Sequence, residues 1–315
     1  MKDIKSTFSY RVKSEIAAGI TGRKKCDACL LGILLYAYTL EPNEIVFRTE
    51  NDVVKDLFVR LVCHACESDK ATTVTEIARK NRPVLYSIAI DRPSMCRKLY
   101  ERVKINADNP SRRYADNTLP KEKEMGAFVS GIYLACGSVN SPEKGYHLEF
   151  VMNDIRLQND LALFLIDRFG LQGKYSQRGA SHVMYFKGSE QVEDVLTFVG
   201  APMSSLELMN EEILKNIRNH VNRAANCAAG NAKKQSATAQ RQIEAIEIID
   251  ASEDGIASLP DDLRFLAELR VENPDMTLSE LAESFDPPLT KSGVNHRLAR
   301  LEAIAKELST RHTEE

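Results

Sequence analysis

Apolar and polar positions along this chain follow two different periods, and the order of those periods repeats. An apolar helical run surrounds Gly32 at residues 29–38, and a second surrounds Gly131 at residues 128–137. A short alternating strand follows each, at residues 44–49 and 146–152; period two places one face inward and one outward. Asn51-Asp52 and Asn153-Asp154 then open an amphipathic helix in each copy, because an Asn or Asp side-chain oxygen satisfies a free N–H at a helix start. Two further strands come next, at 72–79 and 84–90 in the first copy and at 174–178 and 182–186 in the second. A closing helix ends each copy, near 94–104 and 189–198. The pattern predicts two α+β units of helix, strand, helix, strand, strand, helix, offset by roughly 100 residues. Such units would pack as a pseudo-twofold pair through the glycine-bearing helices, since glycine lets two backbones approach closely.

From residue 259 onward only the helical period remains, which predicts an all-α C-terminal domain. Leu259-Pro260 opens a helix with Asp261 and Asp262 at its positive end and Leu263, Leu266 and Leu269 as its apolar stripe. Asn273-Pro274 stops it. Thr277 and Glu280 form a capping box before a second helix, which runs to about Phe285 with Leu278, Leu281, Ala282 and Phe285 inward. Asp286-Pro287-Pro288-Leu289 makes a turn, and a third helix spans residues 290–308. Its apolar stripe is Val294, Leu298, Leu301, Ala305 and Leu308. The opposite face carries Ser292, Asn295, His296, Ala299 and Arg300, with Lys291 and Arg297 at the flanks. A helix-turn-helix needs this arrangement: an apolar back, and short polar groups with arginine towards the major groove. Lys291, Ser292, Asn295, His296, Arg297 and Arg300 are therefore the candidate recognition residues.

The formal net charge is -3, which announces no nucleic-acid partner, but the distribution changes the picture. Between residues 215 and 241 no Asp or Glu occurs, while Lys215, Arg218, Arg223, Lys233, Lys234 and Arg241 do. Asn216, Asn219, Asn222, Asn226, Asn231 and His220 lie among them. Cations neutralise phosphates and Asn bonds phosphate oxygens or base edges. Lys215, Arg218, Asn222, Arg223, Asn226, Lys233 and Lys234 are the candidate phosphate contacts of a helical basic linker. Its bland alternative is a solvated helix that binds nothing.

Hydrophobic residues make up 43% of the chain, enough for real cores, and charged residues 28%. No apolar run is long enough for a membrane span, and no apolar segment follows the basic start, so a cytoplasmic, nucleoid-associated protein is expected. Seven cysteines without an export signal read as reduced thiols. Cys26, Cys29, Cys63 and Cys66 form two CxxC pairs, but 33 residues separate the pairs and both lie on predicted helices. Zinc is the minor alternative, and no cofactor or small-molecule substrate is expected. His64, His147 and His182 are taken as structural.

The duplicated region resembles the LAGLIDADG homing-endonuclease fold. That motif places its glycines on Gly32 and Gly131, and its metal-binding acids would then fall on Ala37 and Cys136, neither of which is a carboxylate. Cleavage by this fold needs acids there to hold divalent metal, and Glu41 and Glu143 lie beyond the helix ends. The resemblance therefore implies DNA binding or protein interaction without nuclease activity.

Residues 125–140 (MGAFVSGIYLACGSVN), Ser141-Pro142, residues 146–149 (YHLE), residues 219–231 (NHVNRAANCAAGN) and the stretch from Leu281 through residues 286–298 (DPPLTKSGVNHRL) together resemble the WhiA family of bacterial sporulation and cell-division regulators. The likeness covers nearly the whole chain and is strongest from residue 125 onward. It departs from the family in the N-terminal third, where the spaced pair Cys26 and Cys29 replaces adjacent cysteines. The resemblance implies a degenerate homing-endonuclease domain, a linker and a C-terminal helix-turn-helix. It also implies a double-stranded-DNA-binding regulator of transcription, cell division, sporulation or chromosome segregation, in an organism with a Gram-positive-type genome. The alternative is a scaffold whose protein partner docks on the duplicated domain. The expected boundaries are an N-terminal arm and first repeat (1–107), a linker (108–120), a second repeat (121–203), the basic linker (204–256) and the helix-turn-helix domain (257–315).

Overall fold

Both glycine-centred runs form helices in the computed structural model, which describes residues 7–311. The chain divides into two units, one ending at Asn216 and the other beginning at Ile217.

In the first unit, α1 (Phe8–Gly19) precedes α2 (Arg23–Leu35). The sequence reading treats this start as an arm and misses α1. Thr7 caps it by accepting from the Tyr10 N–H at 3.2 Å, and Phe8, Val12 and Ile16 bury one stripe of it. Strands β1 (Thr39–Glu41) and β2 (Glu44–Thr49), helix α3 (Asp52–Cys66), strands β3 (Thr73–Ile77) and β4 (Leu85–Ile90), and helix α4 (Pro93–Val103) complete the first repeat. The second repeats the order: α5 (Met125–Cys136), β5 (Gly137–Val139), β6 (His147–Met152), α6 (Ile155–Phe169), β7 (Lys174–Arg178), β8 (Ser181–Lys187) and α7 (Ser189–Phe198). Each copy thus has one strand more than expected. The three-residue strands β1 and β5 are too short to show an alternating pattern.

The two sheets are antiparallel, with matching orders β1-β2-β4-β3 and β5-β6-β8-β7. Asn51 caps α3 by accepting from the Val54 N–H at 3.1 Å. Asp154, one step later than Asn51 in its repeat, caps α6 by accepting from the Arg156 N–H at 2.8 Å. Between the sheets' helices, α2 and α5 cross at their glycines. A Cβ on Gly32 would lie 2.2 Å from the Phe128 carbonyl oxygen, and one on Gly131 would lie 2.1 Å from that of Cys29. No side chain fits there, so glycine is what permits the crossing. The segment between repeats joins the same core: Tyr114 is buried, packs edge-on against Phe128 and Phe164, and its hydroxyl lies 2.8 Å from that of Tyr36.

Helix α8 (Pro202–Asp250) follows α7, and its later turns belong to the second unit with α9 (Asp261–Glu272), α10 (Leu278–Glu283) and α11 (Lys291–Arg311). Ile246 and Ile249 of α8, Leu263, Leu266 and Ala267 of α9, Leu281 and Ala282 of α10, and Val294, Leu298, Leu301 and Ala305 of α11 form its core. The capping box is present: the Glu280 N–H donates to Thr277 Oγ1 and the Thr277 N–H donates to Glu280 Oε2. Three small departures occur. Pro260 is the residue before α9 rather than part of it, α10 stops at Glu283, and Leu308 is only partly buried. Among the described residues, no helix is long and apolar enough to cross a membrane.

Candidate nucleic-acid interface

Helix α11 is positioned from its back. Its N–H groups begin on Thr290, whose hydroxyl accepts from the Gly293 N–H at 3.1 Å. The Leu289 N–H donates to the Ala282 carbonyl at 2.9 Å and ties the preceding turn to α10. Val294, Leu298 and Leu301 are at most 1% exposed, so rotation of α11 would tear them from the core. Lys291, Ser292, Asn295, His296 and Arg300 consequently face solvent, and their side chains make no hydrogen bond or ion pair among the described residues. Arg297 is different. Its Nε donates to Asp262 Oδ2 of α9 at 2.9 Å, so it clamps two helices and is turned from the open face.

The basic stretch lies on α8. Arg218, Asn222, Arg223, Asn226, Lys233 and Lys234 are all exposed. Arg223 Nε donates to the Asn219 carbonyl one turn back at 3.2 Å. Lys215 departs from the expectation: its ammonium donates to the Pro142 carbonyl and sits 5.0 Å from the Tyr146 ring centre, within the first unit. Lys234 and Lys291, expected to act in separate segments, line one cavity of 470 Å³. Two lining residues that the sequence reading missed are Gln242 and Arg270, 4% and 2% exposed. Each falls on a buried helical stripe: Arg270 lies seven residues after Leu263 and Gln242 seven before Ile249. A polar residue on an apolar stripe is the signal that marks them.

The ends of α2 and α5 line a cleft of 370 Å³ with Ala37, Cys136, Arg48, Arg112 and Asp154. The guanidinium of Arg112 donates to the carbonyls of Leu35, Ala37 and Tyr38, at the C-terminal end of α2. Lys13 Nζ donates to the Leu134 carbonyl in the last turn of α5 at 3.2 Å. Cations are favoured at helix C-termini, where carbonyls lack partners. Burial pushes the Cys136 thiol up to about 12, so it stays protonated. Among the described residues Asp154 is the one carboxylate of this lining, and the hydrogen bond from Arg156 is the main reason its pKa is lowered. With Arg112 and Lys13 at the helix ends and no acid on Ala37 or Cys136, the residues present do not fit a divalent metal. Among the described residues no three His, Cys, Asp or Glu side chains gather as a metal site, so Cys26, Cys29, Cys63 and Cys66 form no four-thiolate cluster. Cys26 donates weakly to the Ile20 carbonyl and Cys66 to that of Met95. His147 Nε2 lies 3.2 Å from Glu149 Oε2 in the sheet. Glu41 lends only its backbone carbonyl, to the Tyr100 hydroxyl at 2.7 Å.

The fold and this face together define a protein with a duplicated homing-endonuclease-like domain joined to a helix-turn-helix domain. Residues 125–218 match the WhiA LAGLIDADG-like domain and residues 221–305 the WhiA C-terminal helix-turn-helix domain. The chain is 36% identical over 314 residues to the "Probable cell division protein WhiA" of Clostridium tetani, covering 96% of this chain and 98% of that one. It is 35% identical over 314 residues to the same-named protein of Clostridium perfringens, with coverage of 96% and 99%. The crystal structure of full-length WhiA from Thermotoga maritima superposes with a TM-score of 0.57 at 23% identity, over 96% of this chain and 98% of that one. The chain belongs to the WhiA family.

Proposed function

We propose that this protein is a sequence-influenced DNA-binding regulator, a transcription factor acting in sporulation, cell division or chromosome segregation, without nuclease activity. The observation that carries the reading is the outward face of α11. Ser292, Asn295, His296 and Arg300 have no side-chain partner among the described residues and stand on a helix whose back is locked into a core. Such a face is pre-organised to meet base edges. Arg218, Arg223, Lys233 and Lys234 of α8 add charge for phosphates, and Asn222 and Asn226 add hydrogen-bonding groups. We leave Lys215 and Arg297 out of that set because each already makes a contact within the fold. The cations at the ends of α2 and α5 argue against metal-dependent cleavage.

Fluorescence anisotropy tests the division of labour. Genomic fragments are first selected on the full-length protein at raised salt. Arg300→Ala then weakens a selected fragment about 10-fold or more while random DNA changes little, since a good base contact discriminates by ~1–3 kcal/mol. Replacing Lys233 and Lys234 with Gln weakens both DNAs alike and flattens the salt dependence. Identical behaviour of the two variants would sink this assignment.

A second reading is a protein-interaction scaffold in cell division. It draws on apolar side chains left in solvent at the start of α8: Met203 is 67% exposed, Leu206 51% and Ile213 56%. Large exposed apolar groups in series mark interaction surfaces. Fragment binding that is uniform and vanishes with salt would favour this reading.

A further inference from the structure

Two residues that line the cavity beside α11, Arg270 and Gln242, carry buried polar atoms that no other described residue satisfies. Arg270 Nη1 donates to the Pro274 and Met276 carbonyls at 3.3 and 2.8 Å, while its Nε has no partner among the described residues. Gln242 Oε1 is also buried and without a partner among them. The Arg270 guanidinium is 2% exposed and meets no carboxylate among the described residues. Burial of an unpaired donor, acceptor or charge is costly, and each such group calls for an explanation. Among the described residues three cations border the space, Lys234, Arg270 and Lys291, against one acid, Asp275. Its volume of 470 Å³ exceeds that of a single water many times over and lies within the range of small-molecule sites.

We propose that this cavity is an effector site for a small organic anion that also carries a hydrogen-bond donor. The anionic oxygens would accept from Arg270 Nε and draw in Lys234 and Lys291. The donor, a hydroxyl or amine, would meet Gln242 Oε1. Thr277 also lines the space and offers a further hydroxyl. Phosphate and carboxylate compounds share this chemistry.

A regulatory consequence follows, and it rests on the DNA-binding reading above. Lys234 and Lys291 stand both at the cavity and in the set given to DNA. An anion held between them competes with the phosphates of DNA for the same charges, so the occupied protein binds DNA less tightly.

The site is tested first without DNA, by calorimetric titration of the full-length protein. The probes are 3-phosphoglycerate, which accepts and donates, inorganic phosphate, and neutral glycerol. One 3-phosphoglycerate binds per chain, phosphate binds more weakly and glycerol does not bind. Gln242→Leu and Lys291→Met each weaken 3-phosphoglycerate about 10-fold, as expected for loss of one hydrogen bond to a charged ligand. Flat titrations of both anions, or affinity untouched by the two substitutions, overturn the proposal and leave a water-filled cavity. Gln242→Leu places an apolar group on an apolar stripe, so circular dichroism and thermal melting verify that it folds.

Anisotropy then reads the coupling. At about ten times its wild-type Kd, 3-phosphoglycerate lowers the wild-type affinity for a selected fragment about 10-fold and that of Gln242→Leu only about 2-fold. Anion binding with unaltered DNA affinity overturns the competition. Anion binding in a protein that binds no DNA refutes the DNA-binding reading and supports the anion site itself.

Discussion

The two glycine helices share a topology and a crossing, but they meet the same electrostatic demand with unlike residues. At the end of α2, Arg112 reaches in from the segment between repeats and spans three carbonyls. At the end of α5, Lys13 reaches in from α1 and holds one. Neither cation comes from the repeat pattern. The backbone crossing admits no variation, because a single Cβ would strike a carbonyl oxygen, so both copies keep it. The helix ends need only donors for their free carbonyls, which any well-placed Lys or Arg supplies. Packing geometry has stayed duplicated where the polar chemistry has not.

The largest expected effect tests the part that is the same. Gly32→Ala and Gly131→Ala each cost about 3 kcal/mol or more, because rigid backbone must move. Denaturant midpoints for the two should fall together; a tolerated Gly32→Ala beside a damaging Gly131→Ala would break the symmetry of the crossing. The next effect tests the part that differs. Arg112→Ala strips donors from three carbonyls and costs about 2 kcal/mol, while Lys13→Met, which strips one, costs less. Equal losses would mean that the number of carbonyls held is not what matters.

The smallest effect is a pH dependence confined to the α5 end. Burial brings the Lys13 ammonium down from 10.5 to about 8, with Cys136 and Glu50 opposing the shift. The unfolded chain therefore holds this proton more tightly than the folded one, and stability rises as pH climbs from about 8 towards 10.5. Lys13 keeps some exposure, so the rise is smaller than the full shift would give. Urea unfolding of wild type and Lys13→Met across that window gives the difference. A wild-type curve parallel to that of the variant would remove the desolvated ammonium from the account.

The duplicated architecture was readable because each long helix and strand carries several turns of an unbroken period, and because the order recurs. Helix α1 goes unassigned in the sequence although Phe8, Val12 and Ile16 stand four apart, because the start is read there only for an export signal. Arg112 lies in a segment with no period, so nothing local pointed to a helix end 75 residues earlier. Arg297 and Arg300 are three positions apart on one helix, and only the position of Asp262 separates the clamp from the open face. Lys215 likewise belongs by sequence to a charge run, while in the fold its ammonium meets Pro142 and Tyr146. Pattern reports which face of an element is apolar; it does not report which neighbour a long cationic side chain will reach.

The crossing of α2 and α5 also bears on how the first unit comes apart. Buried residues from both repeats, from Phe8 to Leu208, form one continuous cluster, with Tyr114 of the connecting segment inside it. Neither copy owns a separate interior that would survive loss of the other. Amide protons at the heart of both sheets should thus become exchangeable in the same opening event, and a chain nicked between the repeats would still hold its halves together. The two copies share a topology and a single interior.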